Sequence, residues 1–268
     1  MSVLVLIIIF LTFFLLGELD NIRRYIFGVE KAVIYNNENL AGKLKNEVKD
    51  IVYQHAKEKV IYPKNATINQ KTGQVEEEIY GQMINVTETV NEILKAESET
   101  KVKPIIYSLN PVWEKEDLEK LDTVIAKFDT LIQGSQERIY NIKLATRKIN
   151  NQLVLPGEIF SFNDVVGPRT KERGFAESIE IVDGEYQTGV GGGICQVSTT
   201  LYNAVDKAEL EIVELYSHSR DVSYAESGQD ATVAWDFLDF KFKNNLEQAI
   251  IINAAVWGGQ IRVEIISS

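Results

Sequence analysis

The chain has 268 residues, 45% of them hydrophobic and 25% charged, with one Cys, two His and a formal net charge of -11. One cysteine excludes an internal disulfide, and two histidines leave a Cys/His zinc set short of ligands, so no metal is expected. The acidic balance argues against a phosphate-backbone partner, so no nucleic acid is expected either. The acid is unevenly placed: residues 151–268 carry 8 Lys and Arg against 18 Asp and Glu, and residues 1–150 carry 20 against 21. Such an asymmetry suggests two units with different surfaces.

An apolar run from Val3 to Leu16, broken only by Thr12, opens the chain. At about 1.5 Å per residue it spans roughly 21 Å, short of the ~30 Å hydrocarbon core, and suits a signal segment or uncleaved anchor better than a full span. No Lys or Arg precedes it, and Gly17-Glu18-Leu19 is not a small-x-small cleavage site. Arg23 and Arg24 follow it, which by the positive-inside rule would favour a cytoplasmic C-terminal side. Residues 1–17 are expected to be an export signal or membrane anchor, giving a protein on the extracellular face of the membrane or secreted to the wall.

Leu40, Leu44, Val48, Ile51, Val52 and His55 recur at helical spacing and predict a helix from about Asn39 to Val60, with His55 as a packing or capping residue. Extended stretches follow at Ala66-Thr67-Ile68 and Val75 to Ile84, turning at Lys71-Thr72-Gly73-Gln74. Asn85 with Glu88 caps a helix through Val90, Ile93 and Leu94, and Lys103 to Ser108 reads as a strand. Residues 28–113 thus form a small α+β module. Two connecting helices are expected over 114–152: one on Leu121, Val124, Ile125, Phe128 and Ile132, the other from Ser135 to Asn151. From Leu153 short β-like runs dominate, at Ile179 to Val182, Leu210 to Tyr216, Ala231 to Trp235, Phe237 to Phe242, Gln248 to Val256 and Gln260 to Ile265. A single helix, Val197 to Lys207, interrupts them. The fold class is α+β, with a β-rich C-terminal domain over 153–268.

Specific motifs lie in this last region: PGEIFSFNDVVGPRTKERGF at 156–175, GVGGGICQVSTTLYNA at 189–204, SHS at 217–219, SYAESGQDATV at 223–233 and DFKFKNN at 239–245. They resemble the VanW family, named after an accessory protein of vancomycin-resistance gene clusters, and the run from Arg138 through Asn141 to Asn150 resembles that domain's leading helix. Residues of about 35 to 110 are more loosely similar to the peptidoglycan-binding-like domain that often precedes it. The resemblance implies a cell-envelope protein whose partner is peptidoglycan or its stem peptides. It does not by itself imply a reaction.

The residues suggest one. Gly191, Gly192 and Gly193 lead into a helix whose first turn carries Cys195 and Gln196. A helix N-terminus favours a thiolate or an oxyanion, and the glycines would let a substrate carbonyl approach the backbone. His218 falls at a strand end and Asp230 before the next strand. Cys, His, Asp is the chain order of papain-like and transglutaminase-like thiol enzymes, with His deprotonating the thiol and Asp fixing the imidazole tautomer. Asn163, Arg169 and Arg220 are candidate substrate contacts, an Arg being suited to hold a carboxylate bidentately. The glycine run lacks the spacing of a dinucleotide loop and no Walker lysine follows it, so no cofactor is expected. Three readings stay open: a thiol amidase, peptidase or transpeptidase acting on stem peptides; a non-catalytic wall-binding or scaffold module using the same pocket; and a buried structural Cys195.

Overall fold

The computed structural model describes residues 3–182 and 185–268. The chain divides into two compact units, Met1–Asn65 with Glu78–Val112, and Ala66–Glu77 with Trp113–Ser268. The first unit thus takes in the chain before residue 28 along with most of the expected module at 28–113, and leaves the hairpin Thr67–Ile68 and Val75–Glu76, with Trp113, to the second.

In the first unit the apolar start lies in a helix, Val3–Phe27, whose side chains from Ile7 to Leu11 and Phe13 to Leu16 are exposed; residues 1 and 2 lie outside the described residues. Among the described residues no helix is long and apolar enough to cross a membrane. The helix Lys45–Lys59 begins later than its periodicity suggested, because Leu44 is the N-cap and Glu47 reaches back to the Leu44 amide. Leu40 still joins the core, from a loop. Val48 and Val52 pack with Val90 and Ile93 of the helix Val86–Lys95, which Asn85 caps by accepting a bond from the Glu88 amide. A short sheet of Glu38–Asn39, Ile34–Tyr35 and Lys101–Val102, and the antiparallel pair Gly81–Ile84 and Ile106–Leu109, complete the unit. His55 accepts or donates a 2.8 Å bond to the buried Tyr35 hydroxyl, a packing role.

The second unit is built on a four-stranded antiparallel sheet ordered Thr123–Leu131, Gln260–Ser267, Ile250–Trp257, Gln152–Val154. Ile250–Trp257 and Gln260–Ser267 alternate buried and less buried side chains along most of their length, and Gly258-Gly259 closes their hairpin with φ of 60° and 79°, the two positive values a tight primed turn demands. Onto one face pack the helices Gln136–Ile149 and Ile194–Lys207, burying Ile142, Ala145, Ile149, Val197 and Leu201 against Ile252, Val263 and Ile265. Each such aliphatic side chain contributes about 1.5–3 kcal/mol on burial. A second sheet, Ile159–Ser161, Lys241–Lys243 and Glu211–Glu214, carries the stacked pair Phe160 and Phe242. The ribbon Glu177–Val182 and Glu185–Val190 leads directly into the glycine run.

Three expectations are corrected, one being the strand at Phe237 to Phe242, where the strand covers only Lys241–Lys243 and a turn precedes it. The first connecting helix is a short turn, Lys115–Glu119, followed by the strand Thr123–Leu131. Leu121, Val124, Ile125 and Phe128 do fit a helical spacing, but the segment is rich in β-branched residues. Ala126, Phe128 and Thr130 turn alternately inward, where Phe128 pairs with Val263. Ala231 to Trp235 is not a strand: helix side chains meet Ala231 N, Ala231 O and Val233 O, and the Thr232 and Ala234 amides donate to Tyr216 O and Leu238 O.

Candidate functional site

The helix Ile194–Lys207 organises the site. Its N-cap, Gly193, has φ of 102°, and Gly191 before it has the same value, a region L side chains rarely adopt. A Cβ on Gly193 would lie 2.9 Å from Arg138 Cγ, one on Gly191 3.0 Å from Arg169 Cβ, and one on Gly192 2.4 Å from Ile179 O. The glycines thus admit two arginine side chains and a strand backbone, while all three remain on the cavity wall. Asn141 locks the turn, donating to Ala176 O and Gly192 O and accepting from the Ala176 amide.

The buried polar side chains of this helix hold the segment 229–233. Asn203 donates to Gln229 O, Ser198 donates to Ala231 O at 2.6 Å, and Thr199 accepts from the Ala231 amide. Between these anchors sits Asp230, 6% exposed. Its Oδ2 accepts both the His218 amide at 2.7 Å and His218 Nδ1 at 2.5 Å. With Nδ1 so engaged, Nε2 is the ring nitrogen left for the thiol. Cys195 is half-buried; its Sγ donates to Val233 O at 3.5 Å and interacts with the His218 ring. Burial pulls the His218 pKa down and is the largest single influence. The hydrogen bond and charge attraction from Cys195, followed by those from Asp230, outweigh it and leave the pKa raised.

Cys195 and His218 border a cavity of about 1750 Å³. Its wall includes Arg138, Arg169, Gly191, Gly192, Gly193, Cys195, Gln196 and His218, together with Tyr224, Thr232 and Trp235. Arg138, Tyr224, Thr232 and Trp235 were not singled out from sequence as site residues. Arg138 was visible as the start of a motif run, and Tyr224, Thr232 and Trp235 lie in or beside the SYAESGQDATV motif, but nothing in their spacing distinguished them. Burial lowers the Arg138 pKa, opposed by Tyr224 and Cys195, and raises that of Tyr224.

Other expected contacts move elsewhere. Gln196 is 1% exposed and its amide is consumed: Oε1 accepts from Arg138 Nη2 at 2.8 Å, and Nε2 donates to Thr130 Oγ1 and Leu131 O. Asn163 is buried away from the cavity wall, donating to Ala234 O and Leu238 O while Asp239 accepts from its backbone amide. Its Nδ2 ties down the 234–238 turn, and its buried Oδ1 has no hydrogen-bond partner among the described residues. Arg220 is exposed and outside the cavity wall. Of the proposed binding arginines only Arg169 reaches the site.

A half-buried thiol and an imidazole bonded to a buried carboxylate thus share one region of an α+β scaffold, beside an open cavity. Residues 137–266 match the family model described as VanW like protein, so the domain that carries this site is VanW-like, as the motifs implied. An uncharacterized protein of Bacillus subtilis (strain 168), YoaR, is 43% identical over 171 residues, 63% of this chain and 56% of that protein. The Vancomycin B-type resistance protein VanW of Enterococcus faecalis (strain ATCC 700802 / V583) is 30% identical over 125 residues, 45% of each chain. The chain spans about half the length of the curated relatives it matches. No solved structure matches it.

Proposed function

We propose that this is an exported cell-envelope protein that performs thiol-dependent acyl transfer on peptidoglycan stem peptides, as an amidase, peptidase or transpeptidase. The observation that carries the reading is the Cys195, His218 and Asp230 constellation at an open cavity. In that chemistry His218 takes the Cys195 proton, the thiolate adds to an amide carbonyl carbon, and the amine leaves with the proton returned by His218. The acyl thioester then passes to water or to a second amine, regenerating the thiol. Asp230 keeps the imidazole in the tautomer that can accept at Nε2.

The vancomycin-resistance name of one relative agrees with a role at the wall, and the exposed apolar helix Val3–Phe27 agrees with export or tethering at the membrane. The test is alkylation. Cys195 should react with iodoacetamide at neutral pH faster than a free cysteine peptide, and His218→Ala should slow it at least tenfold. Cys195→Ser should keep the fold and abolish turnover of purified muropeptides. A thiol inert in the folded chain would leave the cavity as a ligand pocket without chemistry.

A further inference from the structure

Two arginines share the cavity wall with Cys195, and they differ. Both terminal nitrogens of Arg138 are engaged by the protein: Nη1 donates to Gln133 O at 2.8 Å and Nη2 to Gln196 Oε1 at 2.8 Å. Arg169 is not. Its Nη1 donates to Gly167 O at 3.2 Å, while Nη2, shielded from solvent, has no hydrogen-bond partner. Leaving a charged donor buried and unmet is costly, so such a donor is poised for a partner. The same side chain is held firmly, with the guanidinium carbon 5.8 Å from the Phe162 ring centroid and 6.0 Å from that of Trp235, and with Gly191 lacking a side chain where Arg169 Cβ passes.

The carboxylate closest in effect, Asp239, is already engaged by Ser161 Oγ and by the amides of Asn163 and Phe240. Burial pulls the Arg169 pKa down to about 10, and Cys195 and Asp239 only partly oppose it. Among the described residues, Arg169 Nη2 is thus the orphaned cationic donor of the cavity wall that also carries the thiol. A guanidinium so placed fits a carboxylate, the planar anion it can meet with parallel N–H bonds. Trp235, 40% exposed, lies against it on the open side of the cavity wall.

We propose that Arg169 is the specificity residue of the site and recognises a free carboxylate on the peptide presented to Cys195. This rests on the acyl-transfer reading for its role in turnover, but not for binding. The test uses isothermal titration of the full chain with N-acetylglycine and with N-acetylglycinamide, which differ only in the carboxylate. The acid should bind at least tenfold more tightly, and a formal charge of -11 makes such a preference informative because the overall field repels anions. Arg169→Gln should abolish the preference and Arg169→Lys should restore it in part.

Rates of Cys195 alkylation by iodoacetate relative to iodoacetamide, each referred to a free cysteine peptide, should fall at least fivefold in Arg169→Gln. Equal binding of acid and amide, no binding of either, or a preference that survives Arg169→Gln would overturn the proposal. The comparison within the unsubstituted chain does not depend on any variant folding. Fast, His218-dependent alkylation with no acid preference would remove Arg169 and spare the thiol reading; an acid preference with an inert thiol would do the reverse.

Discussion

The two units bury different kinds of side chain. Among the described residues of the first, Thr89 is the buried polar one, and the core is Val33, Leu40, Val48, Val52, Ile93 and their neighbours. The second buries Asn141, Gln196, Ser198, Thr199, Thr200, Asn203, Asp230 and Asp239, each with a named partner. Buried polar groups are tolerated only when satisfied, and a satisfied network fixes geometry more narrowly than apolar packing does. The first unit is held together by burial; the second also spends hydrogen bonds on placing one loop against one helix. That is what a site needs and a core does not.

This contrast should break cleanly under mutation. Ile93→Ala, in the first unit, should destabilise by about 2–5 kcal/mol through transfer and cavity terms, read as a lower urea midpoint, and should leave Cys195 alkylation unchanged. Asn141→Ala should cost about 2–4 kcal/mol, since the groups it serves at Ala176 and Gly192 lose their partners. Unlike the first change it should also alter the alkylation rate, because the turn it locks carries Cys195. If Ile93→Ala changed alkylation as strongly as Asn141→Ala, the division of labour between the units would be wrong.

A smaller effect sharpens the account of the glycine run. Gly193→Ala adds a Cβ at φ of 102° and 2.9 Å from Arg138 Cγ, so about 1–3 kcal/mol is expected in denaturant melts. Gly157, at φ of 77° with open space around it, should show only the backbone component when replaced by Ala. Equal losses at the two positions would mean that the close approach of Arg138 contributes nothing.

Cys195, His218 and Asp230 stood out as candidates in the sequence for a limited physical reason. A chain with one Cys and two His offers few pairings, and the glycine run marked where the helix begins. Periodicity then recovered the helix Gln136–Ile149, although the helix at Cys195 starts three residues before the predicted Val197. Periodicity failed where long-range pairing decides. Thr123–Leu131 is a strand because Gln260–Ser267, far away in sequence, offers it a ladder. The loop at 231–235 escaped because side-chain hydroxyls from a helix replace the strand partner its β-like composition suggested. Arg138 and Gln196 show the remaining limit: both line the cavity, yet each spends itself on the other, which no spacing rule reveals.

The smallest predicted effect concerns pH, and its sign follows from His218. The groups around the ring are Cys195 and Asp230, and their attraction exceeds the opposing effect of burial, so the folded pKa lies above the ordinary value near 6.5. The folded chain then holds this proton more tightly than the unfolded chain does. Its contribution to stability is complete below the unfolded pKa and disappears as pH rises through the higher folded one. Urea midpoints of the unsubstituted chain and of His218→Gln should accordingly differ most on the acid side of neutrality and converge in the alkaline range. Cys195→Ser should flatten this difference more than Tyr224→Phe, because the thiol acts on the imidazole directly. A gap between wild type and His218→Gln that widens with rising pH would mean that burial, and not the Cys195 and Asp230 partnership, governs this histidine.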